Sequence, residues 1–201
     1  MKHAADMRPP RSLLARRAFC LAGLSWLAGA WAHAHPEGLS LLRSGSHVLL
    51  MRHALAPGVG DPPGYDLARC ETQRNLDAQG RQQAQRIGQW LRSQGLDHAH
   101  VYSSPWCRCR DTAAQLGLGP VTVEPALASF FDQPDQSAAQ TRRLQAFVAQ
   151  SLRQGKTPLV LVTHHVNIRD FMGQNIGSGD MVLARVNAQG QMRDYRIYPS
   201  P

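Results

Sequence analysis

Short apolar runs alternate with amphipathic stretches along most of this chain, and three of the runs end in clusters of arginine, serine or histidine. His47-Val48-Leu49-Leu50-Met51 lies between Gly45-Ser46 and Arg52-His53, the pattern of a strand buried on both faces. A stretch dense in glycine and proline, Pro57 to Gly64, follows and reads as a loop. Asn75-Leu76-Asp77 then opens a helix with Ala84, Ile87, Trp90 and Leu91 at helical spacing, and Gly95 ends it. Val101-Tyr102-Ser103 is a second strand, and Pro105 begins a helix running through Thr112, Ala113 and Leu116 to Gly117. Val121-Thr122-Val123 is a third strand. Ser137 to Leu152 is a helix presenting Leu144, Phe147, Val148 and Leu152 on one face, and Pro158 to Thr163 is the plainest strand of all. The end reads as an antiparallel pair, Met181 to Val186 and Gln191 to Tyr198, joined by a turn at Asn187-Ala188-Gln189-Gly190. Parallel strands need crossover connections, and crossing helices cover the sheet they span. The expected fold is therefore α/β, a three-layer sandwich whose mainly parallel central sheet is covered by helices on both faces, in one domain over residues 35–201.

The first 34 residues read as an address rather than as part of that domain. Arg16-Arg17-Ala18-Phe19 precedes an apolar stretch of about 14 residues, and Ala32-His33-Ala34 offers small residues at alternating positions, the layout of a secretory signal. The arginine pair resembles a twin-arginine export signal, with cleavage expected after Ala34 and Ala32 as second choice. The competing reading is an uncleaved membrane anchor. The apolar stretch falls short of the roughly 18 residues that compel a membrane span. The expected location is the periplasm, or outside the cell, with the export machinery as a partner.

Charge supports the division. The chain carries 22 Lys and Arg against 14 Asp and Glu, but Lys2, Arg8, Arg11, Arg16 and Arg17 face only Asp6 in the signal. Half of the surplus sits there. The body has no basic run, few aromatics and the single lysine Lys156, so nucleic-acid binding has little support. Beyond Cys20, which lacks the context of a lipoprotein site, three cysteines remain in an oxidising compartment. Cys107 and Cys109 are too close in sequence to bridge comfortably. One of them is expected to pair with Cys70; three reduced cysteines packed as small hydrophobes are the alternative.

The chemistry gathers where the predicted strands end. Arg52-His53 follows the first strand, Ser103-Ser104-Pro105-Trp106-Cys107-Arg108 the second, and Thr163-His164-His165 the clearest one. Ligands of open α/β sheets bind outside the carboxyl ends of the strands, so distant segments can converge there. Two arginines and two histidines on one rim suit a dianion such as a phosphate monoester, whose oxygens match the planar guanidinium fork.

These segments resemble the signatures of the histidine phosphatase superfamily, the phosphoglycerate-mutase-like fold. Leu50-Met51-Arg52-His53-Ala54 is similar to its Arg-His-Gly motif. The run Ser103 to Ala113 is similar to its serine-serine-proline, arginine, threonine-alanine segment, and Val162-Thr163-His164 to its third. Asn75 to Ala84 matches the leucine–glycine–glutamine-alanine opening of its first helix. The resemblance spans roughly residues 47–172. It implies a phosphomonoesterase that needs no metal or other cofactor. His53 would be the nucleophile that forms a phosphohistidine. Arg52 and Arg108 would clamp the phosphoryl oxygens, and His164 would stabilise their charge. A small-molecule phosphomonoester is the implied partner.

Within the motifs, Arg110 competes with Arg108 and His165 with His164. Asn167 is a ligand contact or a helix cap, and Thr72, Gln73 and Arg74 lie in a substrate-facing loop or a solvated turn. Two departures stand out. Ala54 replaces the glycine, and the acid that many members carry after the third strand has no counterpart at Ala128 to Phe131. Asp132 is the favoured substitute, with Glu124 and Asp61 as further candidates. Without a donor, good leaving groups are favoured. A mutase is disfavoured because export would remove it from a cytosolic phosphorylated cofactor. Two other classes remain open: a catalytically weak phosphate-binding protein, and a metal binder using His33, His35, His98, His100, His164 and His165.

Overall fold

The structure, a computed structural model, describes residues 38–201. The segment read as an export signal lies outside the described residues. Six strands form one sheet in the order β3-β2-β4-β1-β5-β6. They are β1 (His47–Arg52), β2 (His100–Ser103), β3 (Val121–Val123), β4 (Leu159–Thr163), β5 (Met181–Val186) and β6 (Met192–Tyr198). The pairs β2–β3, β2–β4 and β1–β4 are parallel, while β5 runs antiparallel to both β1 and β6. The helices are α1 (Ala78–Ser93), α2 (Cys107–Leu116), α3 (Ser137–Arg153) and α4 (His165–Met172).

Strand periodicity sorts the core into two halves. Leu49 and Met51 of β1, Val160 and Val162 of β4, and Met181 and Leu183 of β5 point to one face. There they meet Ile87 and Leu91 of α1 and Cys109, Ala113 and Leu116 of α2. The intervening residues Val48, Leu50, Leu159, Leu161, Val182 and Ala184 point to the other face. Those pack on Leu144 and Val148 of α3 and Ile168, Phe171 and Met172 of α4. Such two-sided burial is why β1 and β4 are continuous apolar runs rather than alternating ones. The result is the expected three-layer α/β sandwich.

Two glycines let α1 sit close to its neighbours. An added Cβ at Gly80 would lie 1.9 Å from the Leu55 carbonyl oxygen, and one at Gly88 would lie 2.2 Å from that of Leu116. Asp77 caps the helix, its side chain accepting from the Gly80 N–H at 2.7 Å. The start of α2 differs from expectation: it is Cys107, not Pro105. Trp106 is the N-cap, with extended backbone (φ −63°, ψ 137°), so Pro105 belongs to the turn that leaves β2.

Candidate active site

The topology decides which strand ends become neighbours. β4 lies between β2 and β1, and the parallel register sets Arg52 opposite Thr163 and Ser103 opposite Val162. The ladder runs one residue beyond the strands: His53 N–H donates to Thr163 O at 3.0 Å and Ser104 N–H to Val162 O at 2.9 Å. His53, His164 and Ser104 therefore leave three adjacent strands side by side. The rings of His53 and His164 stand edge to face with centroids 5.6 Å apart.

A cavity of ≈ 330 Å³ opens at this point, lined by Arg52, His53, Arg108, His164, His165 and Arg74, with Asp61 also in its wall. His53 is buried, and its Nδ1 lies 2.7 Å from the Ala54 carbonyl oxygen. A carbonyl can only accept, so Nδ1 carries the proton and Nε2 keeps the lone pair. Burial first, then the charges of Arg108, Arg52 and Arg74, lower the His53 pKa to about 3, against the opposing pull of the Ala54 hydrogen bond. The imidazole is neutral at physiological pH. His164 is likewise held neutral, by burial and then by His53 and the surrounding cations. Its Nε2 lies 2.8 Å from Ser104 Oγ and 3.5 Å from Cys109 Sγ. Trp106 packs edge-on against the same ring, centroids 5.1 Å apart.

Three guanidiniums reach the cavity. Arg52 is fixed by Nη1 donating to Ile176 O at 3.0 Å, and Arg108 by Nη1 donating to Asp61 Oδ1 at 2.8 Å. Both keep a buried Nε–H with no protein partner, a donor that an anion's oxygen would satisfy. Arg74 is tied by Nε to Gly60 O at 2.8 Å and by Nη1 to Ala56 O. Burial and the neighbouring charge of Arg108 lower the pKa of Arg74, and burial lowers that of Arg52, which leaves both cations poorly compensated. Asp61 is the one opposing charge in the cavity wall. Burial resists its ionisation, yet hydrogen bonds from Arg108, the Arg74 backbone and the Trp106 indole together hold its carboxyl below the ordinary value. Three cations against one carboxylate leave two positive charges around a neutral histidine, the complement of a phosphate dianion.

The expected residues divide cleanly. Arg52, His53, Arg108 and His164 are brought together, and Arg110 points to solvent while Arg108 is buried. His165 joins the wall, against Phe131 at 5.7 Å between centroids. Asp132 does not reach the cavity. It is exposed, with the Tyr65 hydroxyl donating to it at 3.5 Å. The backbone after Leu127 turns Ser129 and Phe131 toward the cavity and leaves Asp132 outside. Glu124 accepts from Ala126 N–H at 2.8 Å and lines a different depression. Asn167 is neither contact nor cap: its Nδ2 donates to Ala128 O at 2.9 Å. Thr72 closes its own turn through Arg69 O at 2.8 Å. Gln73 accepts from Cys107 N–H at 2.9 Å and donates to Asp66 O at 3.1 Å, stitching the loop to α2. Cys70 and Cys107 form a disulfide across the same junction, and Cys109 is a free, buried thiol. Among the described residues no group of His, Cys, Asp and Glu is arranged to hold a metal ion, and no helix is long and apolar enough to cross a membrane.

Sequence reasoning gives Arg74 and Asp61 less weight than the structure does. Neither follows a strand, and nothing in a glycine- and proline-rich loop marks which polar side chain turns inward. Loop positions such as Thr72, Gln73 and Arg74 carry no periodicity, whereas the strand ends do.

Residues 48–131 match the family model of the histidine phosphatase superfamily, branch 1. The matched segment runs from β1 past β3 and carries Arg52, His53 and Arg108, and the α/β sandwich is that of phosphoglycerate-mutase-like structures. Among solved structures the domain is similar to the protein histidine phosphatase SixA complexed with tungstate, at 17% identity, covering 76% of this chain and 94% of that one, TM-score 0.53. It is similar too to mycobacterial glucosyl-3-phosphoglycerate phosphatase complexed with VO3, at 16% identity over 77% and 98% of the two chains, TM-score 0.53. A third is phosphoserine phosphatase from Entamoeba histolytica with 3-phosphoglyceric acid, at 15% identity over 69% and 89%, TM-score 0.51. At these identities the likeness concerns the fold. No curated protein sequence matches.

Proposed function

We propose that this protein is a phosphatase, a metal-independent phosphomonoesterase working through a phosphohistidine on His53. The observation that carries the reading is His53 itself: a buried, neutral imidazole with Nδ1 pinned to Ala54 O at 2.7 Å, beside a surplus of fixed cations. Nε2 attacks phosphorus and the ester oxygen departs with the bonding pair. Water then attacks the phosphohistidine, releasing orthophosphate and restoring the neutral ring. Arg52, Arg74 and Arg108 hold the non-bridging oxygens, and His164 supports the charge that spreads over them in the transition state. These cations are fixed before substrate arrives, the role a metal plays elsewhere.

The solved phosphatases of similar fold support the activity class. The Cys70–Cys107 disulfide supports the periplasmic or secreted location that the N-terminal sequence implies. A second reading has one observation in its favour. Asp132 stands outside the cavity, so a phosphate- or phosphosugar-binding protein with weak turnover fits the same pocket.

Hydrolysis of 4-nitrophenyl phosphate in EDTA, wild type against His53→Ala, separates these readings. Chelator-resistant turnover lost in the variant is the expected result. Burst phosphorylation without steady-state turnover would favour the binding protein, and activity retained by His53→Ala would refute the mechanism.

A further inference from the structure

Asp61 is the carboxylate in the cavity wall, and both of its oxygens are occupied. Oδ1 accepts from Arg108 Nη1 at 2.8 Å and from Arg74 N–H at 2.9 Å, and Oδ2 accepts from Trp106 Nε1 at 3.0 Å. The Arg108 and Asp61 side chains are 4% and 3% exposed. A protonated Asp61 would have to give up an acceptor position and leave a buried guanidinium facing a neutral acid, an unfavourable arrangement for an uncompensated buried charge. The carboxylate therefore stays ionised, as an acceptor only.

Nothing else in the wall carries a transferable proton. Arginines do not release theirs, the Ser129 hydroxyl is too weak an acid, and the three histidines are shifted toward their neutral forms. Asp132 and Glu124 lie outside the cavity. From this geometry we infer that no group among the described residues protonates the leaving oxygen, so that the site selects monoesters with weakly basic leaving groups, aryl and acyl phosphates over alkyl phosphates. The inference rests on the phosphatase reading and names its substrate class. In it Asp61 is a positioning residue: it aims Arg108, fixes the Arg74 backbone and holds Trp106 against His164.

The arginines bind non-bridging oxygens common to every monoester and discriminate little between leaving groups. A positioned general acid contributes about 10²–10⁴-fold. Where it is missing, that factor falls on the basic leaving groups.

The test is kcat/KM, which reports the phosphorylation step, for ring-substituted phenyl phosphates and for glycerol 2-phosphate. Wild type is compared with Asp61→Asn, Asp132→Asn and His53→Ala. The expected result is a steep decline with leaving-group basicity, the alkyl ester trailing 4-nitrophenyl phosphate by about 10²–10⁴-fold. Asp132→Asn should leave the whole series unchanged, and Asp61→Asn should lower every substrate by a common factor with the slope preserved. Alkyl and aryl esters turned over within tenfold of each other would overturn the inference. So would either Asn variant striking the alkyl ester selectively, because it would identify the donor. Turnover that survives His53→Ala, or no turnover by wild type on any ester, would instead refute the phosphatase reading and take the inference with it.

Discussion

The Cys70–Cys107 disulfide closes a loop across 37 residues, and that separation sets a magnitude. In the chain-entropy account, a cross-link of this length removes about 4 kcal/mol of conformational freedom from the unfolded state. For a domain of this size each kcal/mol moves the melting temperature by about 2–4 °C, so Cys70→Ser/Cys107→Ser should melt about 8–16 °C below the oxidised protein. The bond also joins the 3₁₀ turn Cys70–Thr72 to the first residue of α2. Arg74 lies just past that turn and Arg108 just past Cys107, so its loss should raise KM for phosphomonoesters more than it lowers kcat. Urea unfolding of the oxidised protein, the reduced protein and the double serine variant tests the stability claim. The m-value should rise when the cross-link goes, because the unfolded chain expands. Coincident midpoints for oxidised and serine proteins would refute the reasoning.

Acid should destabilise the fold through its buried histidines. His53 titrates at about 3 when folded against an ordinary 6.5, so below pH 6.5 the unfolded state binds a proton that the native state refuses. Stability is then lost as pH falls from 6.5 toward 3, by roughly 5 kcal/mol from this group at the low end. His53→Gln should flatten the dependence of the urea midpoint on pH across that window, and identical slopes in the two proteins would contradict the assignment. Gly88→Ala should lower stability by about 1–3 kcal/mol despite the better helix propensity of alanine, since the new methyl overlaps the Leu116 carbonyl. A thermal melt at or above wild type would show that α1 and α2 can separate at no cost.

Periodicity and strand-end polarity made much of this protein legible. β1 and β4 announce themselves as unbroken apolar runs because each is buried on both faces, and a residue directly after such a strand must emerge at the sheet's carboxyl edge. Arg52, His53 and His164 could be singled out for that local reason, while Arg108, inside α2, was marked by the resemblance of the segment Ser103 to Ala113. Gly80 could be read as part of a motif, but its purpose, the approach of α1 to the Leu55 carbonyl, requires the packed pair. Strand order was a further matter of tertiary structure: nothing local says that β4 inserts between β1 and β2, yet that insertion is what seats His164 beside His53.

The loop residues divide the other way. Asp61 and Arg74 sit in a segment without period, where a side chain's direction is set by what it meets across the fold rather than by its neighbours in sequence. Only the folded chain showed that Asp61 commits its charge to Arg108, that Arg74 adds a third guanidinium, that Cys107 rather than Cys109 pairs with Cys70, and that Asp132 faces solvent. Sequence by itself determined the layers, the strand-end place of His53 and the cationic residues available around it, because those follow from short-range pattern and from the residue types present. Tertiary structure decided which carboxylate is committed and which is absent from the site, because hydrogen bonds between residues 47 positions apart, as Asp61 and Arg108 are, leave no trace in local sequence.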